Sequence, residues 1–297
     1  QGCNTILAQI AAEEFDVSMD RIRVVNADTG ITPFDYSTVS SRTTYHTGNA
    51  LRRACQDAKR QVFKLASKRL GVSPQDLATR QGNVHVKGDE EKAIGITKLF
   101  MPGGYVSEEG IILGKGQFLT PFSVEDPETG QAERTVTYYA HGAAAVELEV
   151  NQETGEVRVL RIGQAWDMGQ PINPQQCEGQ IDGGMGMGIG SALYEKMVLE
   201  NGVVVNPNFR DYKMVTARDV PLVEDVVSFF APVPHKDGPF GAKGFSEGSL
   251  IPVAPAIGNA IYDALGIRIK DAPVEPEQIL KAIEQVSEKG KEGLRFD

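Results

Sequence analysis

A chain of 297 residues, 41% hydrophobic and 24% charged, has the composition of an ordinary globular protein, with apolar content enough for one large domain or two smaller ones. Its formal net charge of -10, with no basic block, lacks the positive field that nucleic-acid binding needs. No apolar run approaches the roughly 20 residues of a membrane span and no charged-then-apolar leader is present, so a cytoplasmic protein with neither nucleic-acid nor membrane partners is expected.

Cys3, Cys55 and Cys177 are odd in number and far apart, with no CxxC or Cys/His spacing. That pattern supports no disulfide framework, zinc site or iron-sulfur cluster, so an electron-transfer metal would have to reside on another chain. The opening Gln1-Gly2 runs at once into a helical pattern, which reads as a fragment or one subunit of a divided protein.

In chain order, Asn4 or Thr5 offers an N-cap, and Ile6, Leu7, Ile10 and Phe15 follow near-helical spacing to about Glu14. Gln1 and Gly2 thus sit at a helix N-terminus, which is either a plain helix start or a place whose unpaired N–H groups suit an anion. "RIRVVNADT" reads as a strand. From Asn49, the positions Leu51, Cys55, Ala58, Val62 and Leu65 make an amphipathic helix stopped by Gly71. Residues 72 to 135 read as short strands and loops, broken most clearly at "MPGG" and "EDPETG".

Val146, Leu148 and Val150 alternate with Glu147 and Glu149, "NQETGE" turns, and Val157 and Val159 lead to Trp166, so a β-hairpin is predicted. "NPQQCEGQIDGGMGMGIGSALYE" reads as a helix despite six glycines, because Gly179, Gly183, Gly186 and Gly190 recur on one small-residue face. Each interior glycine costs about 0.5–1 kcal/mol relative to alanine, so such a face implies close approach by another helix or by a rigid ligand. The string lacks GxGxxG spacing and is no dinucleotide fingerprint. "VEDVVSFFAPVP" reads as a strand, a helix follows from about Pro252 to the stop at Gly266, and a last helix carries Ile279, Leu280, Ile283 and Val286. The sum is an α+β architecture, one domain over 1–297 or two subdomains dividing near 140–165, without the regular βαβ alternation of a doubly wound sheet.

Two stretches could carry chemistry. "YSTVSSRTTYHTG" crowds Ser and Thr hydroxyls around Arg42, either as a polar loop or as a set of donors for a phosphate or polar heterocycle. "GPFGAKGFSEG" sets Lys243 and Glu247 among glycines; it lacks the GxxxxGK[ST] spacing of a P-loop. It is a solvated turn, or a place where Phe240 and Phe245 desolvate the Glu247 carboxylate and make it a useful base.

Taken in order and spacing, "QGCNTILAQIAAEEFDV", "DTGITPFDYSTVSSRTTYHTGNA", "CEGQIDGGMGMGIGSALYE" and "GPFGAKGFSEG" resemble the C-terminal half of the molybdenum-binding subunit of the xanthine dehydrogenase/aldehyde oxidase family, over essentially the whole chain. The last stretch looks most like members acting on aromatic acids, their CoA thioesters or N-heterocycles, such as 4-hydroxybenzoyl-CoA reductase and nicotinate dehydrogenase. The resemblance implies a molybdopterin, or its cytosine dinucleotide form, whose dithiolene holds the molybdenum, so no protein side chain ligates the metal directly. It implies cofactor contacts from Gln1 and Gly2, from Ser40, Ser41, Arg42, Thr43 and Thr44, from Gln180, and from Lys243, Gly244, Phe245 and Ser246. It places Glu247 as the catalytic base.

The resemblance also implies partners: a second molybdopterin-binding chain or the N-terminal half absent here, an iron-sulfur subunit and an FAD subunit. The function it implies is oxidation of a small aromatic N-heterocycle, nicotinate- or purine-like, or of an aldehyde, with water-derived oxygen. The alternatives are reductive dehydroxylation of a 4-hydroxybenzoyl-CoA-like substrate, or a cofactor-binding fragment without activity. Purine-hydroxylating members carry two alanines where Val39 and Ser40 stand, a departure that argues against a purine pocket.

Overall fold

The computed structural model describes residues 1–100, 111–120 and 123–292. The "MPGG" break lies outside the described residues. The chain forms two compact units: residues 1–139, 169–173 and 233–244 make the first, and residues 140–168, 174–232 and 245–297 the second.

In the first unit, α1 (Cys3–Phe15) packs on α2 (Gly48–Leu70) through Ile6, Ile10 and Ala11. Its N-cap is Gly2, at φ 76°, rather than Asn4 or Thr5. A left-handed cap residue costs glycine nothing, whereas Asn4 and Thr5 already lie inside the helix. Glu14 is buried at the other end of α1, where its Oε1 lies 2.6 Å from Arg52 Nε and its carbonyl accepts from Lys59 Nζ at 2.6 Å. α2 runs as expected to Gly71, whose φ of 65° and N–H to the Ser67 carbonyl end it. Its buried face sets Val62 and Ala66 against Leu77, Val84 and Leu99 of a small antiparallel sheet, β1 (Leu77–Arg80), β2 (Asn83–Val86) and β3 (Asp89–Gly95). Each such aliphatic side chain contributes about 1.5–3 kcal/mol on burial. "RIRVVNADT" does not form a strand: a 3-10 turn takes Met19–Arg21, and residues 22–26 run without strand pairing among the described residues. β-branched residues alone make no strand without a partner edge to bond.

The second unit is built on a three-stranded sheet in the order β4 (Gly142–Val150), β5 (Val157–Trp166), β8 (Val226–Phe230). β4 and β5 form the predicted hairpin, its turn held by Asn151 Oδ1, which accepts from the Glu153 and Thr154 N–H groups. Glu147 and Glu149 face Arg161 and Arg158 at 3.8 and 3.6 Å on the wet side, while Val146, Leu148 and Val150 pack inward. β8 lies parallel to β5, so α3 (Pro174–Leu193) sits in a crossover connection and the sheet holds one βαβ step within an α+β fold. β8 is shorter than the stretch predicted for it. A two-stranded ribbon, β6 (Leu199–Glu200) with β7 (Val203–Val204), precedes it. The core joins Ile162, Ile189, Val253, Ile257, Ile261 and Ile279, drawing on α4 (Val253–Leu265) and α5 (Pro276–Glu292). Gly266 ends α4 at φ 68°, as its place in the sequence predicts.

Candidate functional site

The hydroxyl-rich loop of the first unit is ordered by Asp35. Its Oδ1 accepts from Ser37 N at 2.9 Å and pairs with the Arg42 guanidinium at 3.2 Å, and its Oδ2 accepts from Thr47 Oγ1 at 3.1 Å. Arg42 also donates to the Ser37 carbonyl at 3.1 Å, and Thr43 Oγ1 to Thr38 Oγ1 at 3.3 Å. Within that frame Ser40 and Ser41 sit one after the other in the left-handed region, at φ 53° and 51°. Each non-glycine residue there costs about 1–3 kcal/mol, a strain that persists only where neighbours over-determine it and that concentrates at functional positions. Thr43–Thr47 then winds a single π turn into α2.

The stretch from Val233 to Gly244 returns to this loop. Tyr138 Oη donates to the Ser41 carbonyl at 3.4 Å and accepts from the Gly244 N–H at 3.0 Å. A Cβ on Gly244 would collide with the Ser41 carbonyl oxygen, so only glycine fits. Lys243 is buried and its Nζ donates to the Tyr139 carbonyl at 2.8 Å. The Tyr138 ring packs on the fully buried Tyr45 at 4.7 Å between centroids, with His235 at 5.4 Å from Tyr45. Burial raises the Tyr45 phenol, with the Asp237 charge adding to the effect. Burial likewise holds the His235 imidazole below its ordinary range, Asp237 opposing and Lys243 reinforcing the shift. His46 is lowered chiefly by burial as well.

In the second unit, α3 splits its glycines by face. Gly184 and Gly188 are buried against the Glu247–Leu250 turn and α4, where a Cβ would strike Ser249 and Val253. Gly179, Gly183 and Gly186, spaced by four and three, have no neighbour within 4 Å among the described residues. Gly190 departs from the predicted face, because the Glu195 carboxylate lies against it. Ser249 Oγ stands 2.8 Å from both the Gln180 and the Ser246 carbonyl oxygens, tying α3 to the loop that carries Glu247. Phe245 packs on Trp166 at 5.3 Å, and Trp166 Nε1 donates to the buried Gln164 at 2.8 Å.

Glu247 itself is exposed. Of the two readings, a solvated turn or a carboxylate desolvated by Phe240 and Phe245, this exposure favours the turn; Phe245 lies on Trp166 in the same unit, and in the first unit Phe240 lies under the Arg52 guanidinium at 4.3 Å. Gln1 is exposed at the start of α1, its Oε1 near Cys3 Sγ.

Of three segments distant in sequence, two are therefore each joined to the stretch 244–246. Ser41 meets Gly244 in the first unit, and Gln180 meets Ser246 in the second. Sequence reasoning missed the residues that make the joins, Asp35, Tyr138 and Ser249. Only Asp35 carried a readable signal, the Asp-x-Ser spacing of an Asx-turn.

A family model described as the molybdopterin cofactor-binding domain matches residues 1–221. The putative xanthine dehydrogenase molybdenum-binding subunit XdhA of Escherichia coli (strain K12) is 35% identical over 283 residues, covering 94% of this chain and 36% of the relative. The gamma subunit of the 6-hydroxypseudooxynicotine dehydrogenase complex of Paenarthrobacter nicotinovorans is 34% identical over 287 residues, with 94% and 34% covered. Among solved structures, quinoline 2-oxidoreductase from Pseudomonas putida 86 matches with a TM-score of 0.80 at 26% identity, over 96% of this chain and 35% of that one. The chain spans about a third of the length of the curated relatives it matches.

Proposed function

Since the chain belongs to the molybdopterin cofactor-binding domain family, we propose that it is the cofactor-binding part of a cytoplasmic molybdenum hydroxylase that oxidises a small aromatic N-heterocycle or an aldehyde. The observation that carries this reading is the pairing of the predicted cofactor segments, Ser41 with Gly244 and Gln180 with Ser246, across long stretches of chain. Relatives named for xanthine, 6-hydroxypseudooxynicotine and quinoline favour a heterocyclic substrate. The matched relatives are about three times as long, which supports a requirement for further cofactor-binding polypeptide, and they are named as subunits, which supports partner chains, for which the proposal takes an iron-sulfur and an FAD subunit.

Each unit carries residues that suit a bulky polar cofactor, a molybdopterin or its cytosine dinucleotide form. The α3 face at Gly179, Gly183 and Gly186 leaves open the space that side chains would fill. Ser40, Ser41, Thr43 and Thr44 supply hydroxyls, with Arg42 a fixed cation among them. Gln1 and Gly2 supply an amide side chain and the free N–H groups of a helix start, where anions are favoured. The resemblance adds Lys243 and Gly244 in the first unit and Gln180, Phe245 and Ser246 in the second. When bound, the cofactor supplies a two-electron redox centre and the oxygen for insertion. Glu247 would act through its carboxylate as the general base, accepting a proton there. The hydrogen bond from Lys243 to the Tyr139 carbonyl holds the loop leading to it.

The test is to purify the chain with its co-expressed partners, measure molybdenum and pterin per chain, and assay nicotinate, xanthine and aromatic aldehydes with an artificial electron acceptor in 18O-labelled water. Stoichiometric molybdenum and 18O in the product are expected. An active complex without molybdenum overturns the proposal, and turnover confined to dehydroxylation of 4-hydroxybenzoyl-CoA replaces the oxidative direction with the reductive one.

A further inference from the structure

The strained Ser40-Ser41 turn and the Gly244 backbone share a single side-chain partner. That partner is Tyr138, whose hydroxyl donates to the Ser41 carbonyl and accepts from the Gly244 N–H. A phenol is suited to this double role because its one O–H donates while its lone pairs still accept. Its ring is fixed as well, packed 4.7 Å from Tyr45 and 5.9 Å from His235. Tyr45 is fully buried and belongs to the π turn that continues directly from Arg42. The loop thus supplies the platform that holds the residue that holds the loop. One residue further on, the Tyr139 carbonyl receives Lys243 Nζ at 2.8 Å, so residues 138 and 139 grip the Lys243-Gly244 pair twice. Nothing in the local sequence marks Tyr138 as more than an aromatic residue in an irregular segment.

We propose that Tyr138 is a positioning residue for cofactor retention: its hydroxyl locks the Ser40–Thr44 loop and the Lys243-Gly244 backbone into one arrangement before the cofactor arrives. Binding then spends little free energy on ordering these segments, which is how preorganised sites gain affinity. Two adjacent left-handed serines relax towards ordinary backbone once their carbonyl loses its partner, and the hydroxyls they carry turn with them. The proposal rests on the molybdopterin reading above and adds to it a residue outside the segments that the resemblance assigns to the cofactor.

Tyr138→Phe keeps the ring and removes the hydroxyl. In the full chain purified with its partners, the variant is expected to retain at least tenfold less pterin and molybdenum than wild type after dialysis, with cooperative thermal unfolding kept and its midpoint lowered by only about a few degrees. Hydrogen exchange on protein from a host unable to make molybdopterin gives a readout independent of activity. There the Gly244 amide is expected to be protected in wild type and to exchange at least tenfold faster in Tyr138→Phe. Wild-type pterin retention in the variant overturns the proposal, as does a Gly244 amide that exchanges at the solvent rate in wild type, a measurement that stands even if the variant fails to fold. Absence of pterin from wild type itself is a different outcome, and it removes the molybdopterin reading on which the proposal depends.

Discussion

Two adjacent glycines of α3 are predicted to respond oppositely to the same methyl group. At Gly184, a Cβ would strike the Ser249 hydroxyl and approach the Ser249 Cβ at 2.7 Å, on the buried face packed against the Glu247–Leu250 turn. Alanine brings about 1 kcal/mol of helix propensity there, but overpacking a tight contact costs about 1–3 kcal/mol and displacing the buried Ser249 hydroxyl about 1 more. Gly184→Ala should therefore lose about 1–3 kcal/mol net. At Gly183 nothing lies within 4 Å among the described residues, so Gly183→Ala should leave the cofactor-free protein about 0.5–1 kcal/mol more stable. Urea unfolding followed by Trp166, the only tryptophan and one stacked on Phe245 in the same unit, reads both effects through the midpoint at constant slope. If the open face takes the cofactor, the more stable Gly183→Ala protein should nevertheless hold less pterin. A Gly184→Ala chain as stable as wild type would refute the packing argument, and full pterin content in Gly183→Ala would refute the use of that face.

Glu247→Gln should lower kcat by about 10²–10⁴ with molybdenum content and unfolding midpoint unchanged, and a metal-loaded variant with full turnover excludes Glu247 as the base. His46 and His235 are held below the ordinary value of 6.5, so the unfolded chain binds protons more readily than the folded one. The stability they permit is complete above about pH 6.5 and falls as the pH drops towards their folded values. The double variant His46→Gln/His235→Gln should flatten the difference in urea midpoint between pH 7 and pH 5, and identical pH profiles for variant and wild type would count against this. Burial pushes the Cys55 and Cys177 thiols to about 11, leaving roughly one thiolate in a thousand at pH 8. Mass mapping after iodoacetamide should find both cysteines unmodified until urea is added, and rapid native alkylation of Cys55 would contradict its burial.

The regular elements were legible because local periodicity dictates them. Gly71 and Gly266 end α2 and α4 where the apolar spacing stops, and the alternation of Val146, Leu148 and Val150 yields the β4 edge of the hairpin. "RIRVVNADT" misled because its β-branched residues report propensity, whereas a strand also needs a partner strand, which residues 22–26 do not have among the described residues. The small-residue face of α3 was half right. Periodicity grouped Gly179, Gly183, Gly186 and Gly190 by helical angle; the first three lie open, Gly190 meets Glu195 just past the helix, and the close packing on α4 and the Glu247–Leu250 turn falls to Gly188 and Gly184, which the sequence did not single out. For Glu247 the sequence leaves open a solvated turn or desolvation by Phe240 and Phe245, because neighbours in sequence do not fix where rings point; one ring lies on Arg52, the other on Trp166, and the carboxylate is exposed.

Both joins between distant segments have the same construction, a side-chain hydroxyl facing a glycine. Tyr138 Oη links Ser41 to Gly244, and Ser249 Oγ links Gln180 to Ser246 beside Gly184. A hydroxyl rotates to satisfy carbonyl or amide partners from unrelated parts of the chain, which a fixed amide or guanidinium does less readily. The glycine is what allows the approach, since a Cβ at Gly244 would meet the Ser41 carbonyl and one at Gly184 would meet Ser249. The glycines of "GPFGAKGFSEG" and of α3 therefore need not mark flexible backbone. At Gly244 and Gly184 they are points of close packing, and a methyl group added at either one displaces a loop whose residues lie far away in the sequence.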